Sequence, residues 1–435
     1  MLDEQPAIVL RRLMRWLEPF NTCFGRRAHV LSLAQYVEGL LSDSPRKSMQ
    51  AMLARLTDPR SYQAFQHFVT DAPWEAAAVW RRLLAVLPER RGFVILDDTG
   101  FPKQGTHSVG VARQYSGTLG KIGNCQVAVT AALWTRARAW LLGAELYLPE
   151  AWLTPARRAE ARIPASRRFA EKWRLALALV RRIRAAGIAV EGVLADAAYG
   201  DVTVFRLALD RLRLAYVVGI SSTITVWPGT PTTRRVPAGQ PGRPRKRPLL
   251  ETGPPVAVSV LARDAAATAW RRVEWRNGAR PAWAAECLAL RVTPAVEWRR
   301  HHRVHTVWLL CERQPTPRTR TKYYLSNLPA RTPLATLVRW AHHRWAIEQQ
   351  YQELKTEIGL DHFEGRTYPG WHHHMVISAI TYAFLQAERQ RRRTTLTFPA
   401  IRAAVQEVFT GLLFISHPTY LRWLDQAREM LPLRI

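Results

Sequence analysis

The chain has 435 residues, 48% of them hydrophobic, and its 63 Lys and Arg outnumber 34 Asp and Glu to give a net charge of +29. That length and apolar content allow two to four domains with sizeable cores. A pI near 11.1 lies far outside the range usual for a metabolic enzyme and calls for a polyanionic partner, DNA or RNA.

The lysines are Lys47, Lys103, Lys121, Lys172, Lys246, Lys322 and Lys355, so the excess is arginine. Arginine grips phosphate with paired donors and stacks on bases, although the base composition of a source genome explains such a bias equally well. Cys23, Cys125, Cys287 and Cys311 lie far apart, without metal-ligand spacing or a disulfide framework, which makes a reducing cytosol the expected compartment. Leu10-Arg11-Arg12-Leu13 already reads as amphipathic helix where a signal peptide would sit. The longest apolar run, Met375 to Ala387, is too short to span a bilayer, so no membrane is expected.

Residues 1–88 read as all-helical, with segments near 5–18, 28–42, 45–56, 59–69 and 73–87 separated by Asp and Pro breaks. Exposed arginines on short helices suit a helix-turn-helix-like DNA-binding module, and a helical domain that merely packs suits them as well. Gly92 to Leu96 is then a continuous apolar run, a buried strand with Asp97 and Asp98 at its exit. Strands follow at 125–133 and 140–147, a helix at 168–186, and a second buried strand at 190–195 that ends in Asp196. A helix at 201–212 and a strand at 215–220 complete a mixed α/β sheet. Residues 228–255 are rich in proline and carry the basic cluster Arg243-Pro244-Arg245-Lys246-Arg247, which reads as a loop. Residues 256–328 read as β-rich, with strands at 256–262, 270–275, 287–292, 304–311 and 322–325.

Helical periodicity resumes from about Pro333 to Leu360. Ile347, Tyr351, Leu354 and Ile358 form one apolar stripe; Arg344, Glu348, Gln352 and Lys355 form a second, displaced by about 100°. A carboxylate between two cations suits a site for metal and phosphate; a solvated face with i, i+4 ion pairs is the plainer reading. Helices at 371–392 and about 399–428 form a tail. Asp98 or Asp97, Asp196 and Glu348 thus stand out as carboxylates that suit Mg²⁺ or Mn²⁺, hard ions preferring oxygen ligands. Two such ions, ~3.5–4 Å apart, serve phosphodiester chemistry. Strand-end acids as ordinary turn residues are the alternative for each one singly.

Three blocks resemble the insertion-sequence transposases with an RNase H-like catalytic domain and a DDE triad. They are Leu96-Asp97-Asp98-Thr99-Gly100-Phe101-Pro102-Lys103-Gln104-Gly105 with its continuation to Gln126, Leu194-Ala195-Asp196-Ala197-Ala198-Tyr199-Gly200, and the Glu348 helix with Gly359-Leu360-Asp361-His362-Phe363-Glu364-Gly365-Arg366. Related transposases carry Y-x2-R-x3-E-x6-K around the third acid; Arg344, Glu348 and Lys355 match, whereas Ala341 stands at the Tyr position.

The resemblance implies an RNase H-like mixed sheet with a β-rich insertion, an all-α N-terminal domain and a helical C-terminal tail. The expected layout is 1–88 DNA-binding, 89–222 and 331–393 catalytic core, 223–330 insertion and 394–435 tail. It implies catalysis and binding of two Mg²⁺ or Mn²⁺ by Asp98, Asp196 and Glu348, with Asp97 as the alternative first acid. Double-stranded DNA, both terminal repeats and target, is the implied partner, met by a homodimer at the bacterial nucleoid. Arg344 and Lys355 are the implied phosphate contacts. Lys103, Arg113 and Lys121 follow the first acid in a Gly-rich stretch that suits a DNA backbone or a plain hairpin with basic decoration. A metal-dependent nuclease without strand joining and a DNA-binding regulator are the rival functions. One of Trp227, Trp270, Trp275, Trp283, Trp298 and Trp308 could stack a flipped base, or all could be core. His301-His302 and His372-His373-His374 are expected not to bind metal, because consecutive side chains cannot all face one ion.

Overall fold

Amphipathic helices open the chain, as their apolar spacing predicts: α1 (Pro6–Leu17), α2 (Arg27–Leu41), α3 (Met49–Leu53), α4 (Tyr62–Thr70) and α5 (Ala76–Val86). In α1 the buried residues Val9, Leu13 and Leu17 recur every fourth position, the spacing of one helical face. Ser48 and Ser61 cap α3 and α4, each Oγ accepting a bond from the amide three residues on. The computed structural model describes residues 6–234, 249–276, 283–301, 305–313, 320–392, 396–417 and 419. The chain folds into two compact units, one of Met1–Arg91, Asp98–Ala189 and Ile347–Ile435, the other of Gly92–Asp97 and Val190–Ala346.

Strand β1 (Arg91–Pro102) passes from the second unit to the first between Asp97 and Asp98. It runs past the two acids rather than ending at them, because Thr99 and Phe101 continue the strand-favouring pattern. The first unit then adds β2 (Ala112–Ser116), β3 (Lys121–Trp134), β4 (Ala139–Leu146), α6 (Pro155–Ala161) and α7 (Lys172–Ala185). Both β2 and β4 pair antiparallel with β3. Sequence reading passed over β2, which is short and rich in polar residues.

The second unit is built on β5 (Ala189–Ala195), α8 (Ala197–Gly200), α9 (Thr203–Arg211), β6 (Tyr216–Ile220) and β7 (Thr225–Pro228). The short strands β8 (Thr233–Arg234) and β9 (Leu249–Leu250) pair with each other. After them come β10 (Val256–Ala257), α10 (Val258–Asp264), β11 (Arg271–Arg276), β12 (Trp283–Pro294), α11 (Ala295–His301), β13 (Val307–Arg313), β14 (Lys322–Ser326) and α12 (Leu334–His343). The sheet order is β10-β7-β12-β13-β14-β6-β5-β1, with β11 on β12. Strands β5 and β6 pair parallel, and β14 adds to β6 antiparallel, so the β-rich residues extend the same sheet.

Residues 256–262 read as a strand, yet all but the first two lie in α10, where Val258 and Ala262 bury one helical face. The basic cluster at 243–247 lies outside the described residues.

The expected long helix from Pro333 to Leu360 is instead two, α12 and α13 (Trp345–Thr356), divided at Arg344. In the first unit α14 (Tyr368–Arg391) is buried along most of its length, the mark of a core helix. It is followed by α15 (Phe398–Ser416), and the remainder of the expected tail to residue 428 lies outside the described residues apart from Thr419. By length and composition α15 is apolar enough to cross a membrane, a property Arg402 and Glu407 hide from a search for unbroken runs. Its buried Phe398, Ile401, Val405, Phe409 and Leu413 form a core-facing row, and it packs on α1, α2 and α14.

Candidate active site

Alternation along β1 sends Asp97 and Asp98 to different partners. In the second unit, Asp97 Oδ2 lies 3.3 Å from Arg344 Nη1. In the first, Asp98 Oδ2 accepts a 2.6 Å bond from Nζ of Lys172, the first residue of α7. Both carboxylates are half-buried. Lys172 was not singled out in the sequence; only its position at a helix start after Glu171 could have drawn attention to it.

Beyond Asp98 the backbone is packed tightly. A Cβ on Gly100 would lie 2.0 Å from Ser116 Oγ, so only glycine lets β1 lie this close to β2. Lys355 on α13 donates to Gly100 O at 2.9 Å and to Thr118 Oγ1 at 3.0 Å, and its ammonium stands 5.6 Å from the Phe101 ring centre. Burial lowers the Lys355 pKa, with Asp361 opposing. Glu348 lies exposed in the first turn of α13, while Ile347, Leu354 and Ile358 are fully buried as their stripe requires and Tyr351 is half-buried.

Lys103 donates to Phe363 O at 2.6 Å and is largely enclosed, so burial lowers its pKa while Asp361 and Glu364 oppose. That placement ties the first sequence block to the third and occupies the ammonium. Arg113 on β2 and Lys121 on β3 are exposed.

In the second unit, Asp196 follows β5 and caps α8, its Oδ1 accepting from Ala198 N at 3.0 Å. The backbone of Gly219 on β6 lies directly beneath: a Cβ there would come within 3.1 Å of Ala197 N and 3.5 Å of Asp196 Cα. Asp196 and Arg344 line one cleft of about 590 Å³, together with Ser222, Arg320, Lys322 and Tyr324. Arg320 and Lys322 were not among the residues chosen from sequence; their place at and just before the start of a strand was the available signal.

Below this turn Arg206 is 1% exposed. It donates to Gly200 O, to Thr203 Oγ1 at 3.2 Å and to Glu297 Oε1 at 3.0 Å. Burial alone would raise the Glu297 carboxyl, but His305 and Arg206 outweigh it and hold it below its ordinary value.

Among the described residues no three His, Cys, Asp or Glu side chains gather as a metal-ligating group. His373 bonds Val69 O and Trp74 O, both at 2.8 Å, and His374 bonds Tyr36 Oη at 2.9 Å, so these rings serve the core. The His302 position lies outside the described residues. Trp227 is fully buried and donates to Gly253 O at 2.8 Å, with Trp298 against its ring; Trp275 stacks on His342. Trp283 is 47% exposed, Trp270 is buried, and Trp308 donates to Pro329 O at 3.0 Å.

Residues 19–282 match the DDE superfamily endonuclease family. A protein of Microchaete diplosiphon named "Probable transposase for insertion sequence element IS701" is 32% identical over 189 residues, which is 42% of this chain and 47% of that protein. The chain thus aligns with about half the length of this relative. A solved structure titled "Cryo-EM structure of piggyBac transposase synaptic complex with hairpin DNA" superposes with a TM-score of 0.46 at 10% identity, covering 99% of this chain and 86% of that one. On the match across residues 19–282, more than half its length, the chain belongs to the DDE superfamily endonucleases.

Proposed function

We propose that the protein is the DNA transposase of a bacterial insertion sequence, which cuts the element's ends and joins them to target DNA. The observation that carries this reading is the family match, which spans Asp98 and Asp196. The relative's name supports the same activity. Asp98, Asp196 and Glu348 are the proposed catalytic and metal-binding acids, with Asp97 as the alternative first ligand. Their donor chemistry fits a hard divalent ion, since all are carboxylate oxygens, and Asp196 opens onto a cleft rather than a sealed core. Two bound Mg²⁺ or Mn²⁺ would activate water or a 3′-hydroxyl and offset charge on the leaving oxygen.

The chain's own residues then have separable tasks. Arg344, Arg320 and Lys322 hold the DNA backbone along the Asp196 cleft, since guanidinium and ammonium groups suit phosphate. Lys355 fixes the backbone just beyond Asp98. The +29 charge supplies sequence-independent affinity.

The reading further assigns an RNase H-like core to 89–222 and 331–393, DNA binding to 1–88, a β-rich insertion to 223–330 and a tail to 394–435. It also assigns a homodimer on paired ends at the nucleoid. Because the matching family is described as endonucleases, cleavage without joining is the second reading. Purified protein is incubated with the DNA flanking its gene, with and without Mg²⁺. Asp98→Ala, Asp196→Ala and Glu348→Ala should each abolish cleavage and retain DNA binding; full activity in all three would overturn the assignment. Strand-transfer products separate transposase from simple nuclease.

A further inference from the structure

The β2–β3 hairpin presents one face to solvent. Its register sets Tyr115 opposite Ile122 and Arg113 opposite Asn124, so alternation places these four side chains on the same face. Tyr115 is 64% exposed and Ile122 59% exposed, and Arg113 beside them is exposed as well. The opposite face is the packed one: Ser116 is 2% exposed and lies against Gly100. Lys121 at the tip is exposed too, but it pairs with Ser116 and so belongs to that other face, and β2 lies at the end of the order β1-β3-β2.

Scattered exposed apolar residues are ordinary. A directly opposed aromatic–aliphatic pair left open on a braced hairpin is different, because such pairs usually cover each other and pack onward. The brace is Lys355, whose ammonium binds both Thr118 at the hairpin tip and Gly100 on β1, two residues past Asp98. The hairpin is therefore fixed relative to the first acid.

We infer that this face docks on duplex DNA, the Tyr115–Ile122 pair packing on sugar and base edges in the minor groove while Arg113 beside them meets a flanking phosphate. Apolar side chains beside a guanidinium suit that groove, whose floor is narrow and whose walls are anionic. A second copy of the chain is a poorer occupant, because it would bring Arg113 against a body of the same strong positive charge. The inference rests on the DNA-binding part of the proposed function.

The two kinds of contact leave different signatures. Binding of a fluorescein-labelled, mixed-sequence duplex is followed by anisotropy over a range of salt. Tyr115→Ser/Ile122→Ser should weaken binding about tenfold at every salt concentration and leave the slope of log affinity on log salt unchanged. Arg113→Ala should flatten that slope by about one, while Lys121→Ala, on the other face, should leave it unchanged. Thermal melting of the Tyr115/Ile122 variant should match wild type, since both side chains are mostly exposed. Wild-type affinity in that variant overturns the inference and leaves the function reading standing. Self-association of the wild type without DNA, lost in the variant, overturns it in favour of a protein interface. A wild type that binds no duplex at all overturns both readings.

Discussion

The ammonium of Lys172 lies 2.6 Å from Asp98 Oδ2, joining the start of α7 to the middle of β1. Lys172 and Asp98 keep 33% and 23% side-chain exposure, so the ion pair contributes at most about 1 kcal/mol to stability. Its chemical consequence is larger, because it engages the oxygen a divalent ion would need. Lys172→Met should lower the melting temperature only slightly and tighten Mn²⁺ binding several-fold by calorimetry. Unchanged affinity in this variant, with affinity lost in Asp98→Ala, would show that the lysine does not compete.

Asp97 makes a contrasting prediction. Its partner is Arg344 at 3.3 Å, and that arginine lines the Asp196 cleft. Asp97→Asn removes the charge that orients Arg344 while keeping the side chain's shape. Cleavage should slow and DNA binding weaken modestly, whereas Asp98→Asn should abolish cleavage outright. The reverse ranking in single-turnover assays would transfer the metal-ligand role to Asp97.

The Arg206–Glu297 pair is buried, at 2% and 1% side-chain exposure, beneath the turn that carries Asp196. Removing one partner strands the other charge, so Arg206→Met should cost about 3–5 kcal/mol. Arg206→Met/Glu297→Met should recover most of that by urea unfolding. If the pair also positions the turn through the bond from Arg206 to Gly200 O, the double variant will melt normally and still cut slowly. The pH dependence has a defined sign. Glu297 titrates below its ordinary value, so its contribution is complete above the unfolded-state value of about 4.3 and is lost as pH falls through the lower folded value. The acid limb of the stability curve should therefore flatten in the double variant.

Local sequence carried the N-terminal helices, the buried strand residues through Leu96 and Ala195, and the apolar stripe through Ile347 and Leu354, because each is a pattern that burial enforces. It failed where tertiary context decides. Val256-Ala257-Val258 looks like strand, yet Val258 and Ala262 bury better on a helix. Arg344 fits an uninterrupted helical period, and the division into α12 and α13 there has no proline or glycine to announce it. The partners of the acids were illegible for another reason: Lys172 lies 74 positions from Asp98 and Arg344 lies 247 from Asp97, and no local pattern encodes such pairings. Buried Arg206 likewise reads as an ordinary surface arginine until Glu297 is brought to it.

Lys47 offers a test of the N-terminal helices. It is 5% exposed, donates to Ser42 O at 2.6 Å, and has its pKa lowered from 10.5 to about 7, by burial first and by Arg402 second. Between about pH 7 and 10.5 the unfolded state holds a proton that the folded state has released, so stability rises with pH across that window. Below it both states are protonated and the penalty is constant. Lys47→Met should remove this slope and stabilise the protein at and below neutrality; Ser42 O keeps its bond from Arg402 at 2.8 Å. An unchanged slope in pH-dependent unfolding would assign the effect to other groups.

Lys355 carries the sharpest conflict between the sequence pattern and the observed contacts. Its spacing from Glu348 implies a phosphate contact, but its ammonium already bonds Gly100 O and Thr118 Oγ1. If it acts through those bonds, Lys355→Ala frees the hairpin tip, and amide exchange should accelerate in residues 116–123 without DNA present. Lys355→Arg should restore the exchange rates only partly, since a planar guanidinium does not reproduce two bonds made by a compact ammonium. Cleavage would then fall in proportion to the loss of protection. If Lys355 instead meets phosphate, exchange stays at wild-type rates while the salt slope of DNA binding drops by about one. Measuring exchange and salt slope on the same variants separates a brace from a phosphate ligand, and wild-type values of both would leave Lys355 with neither role.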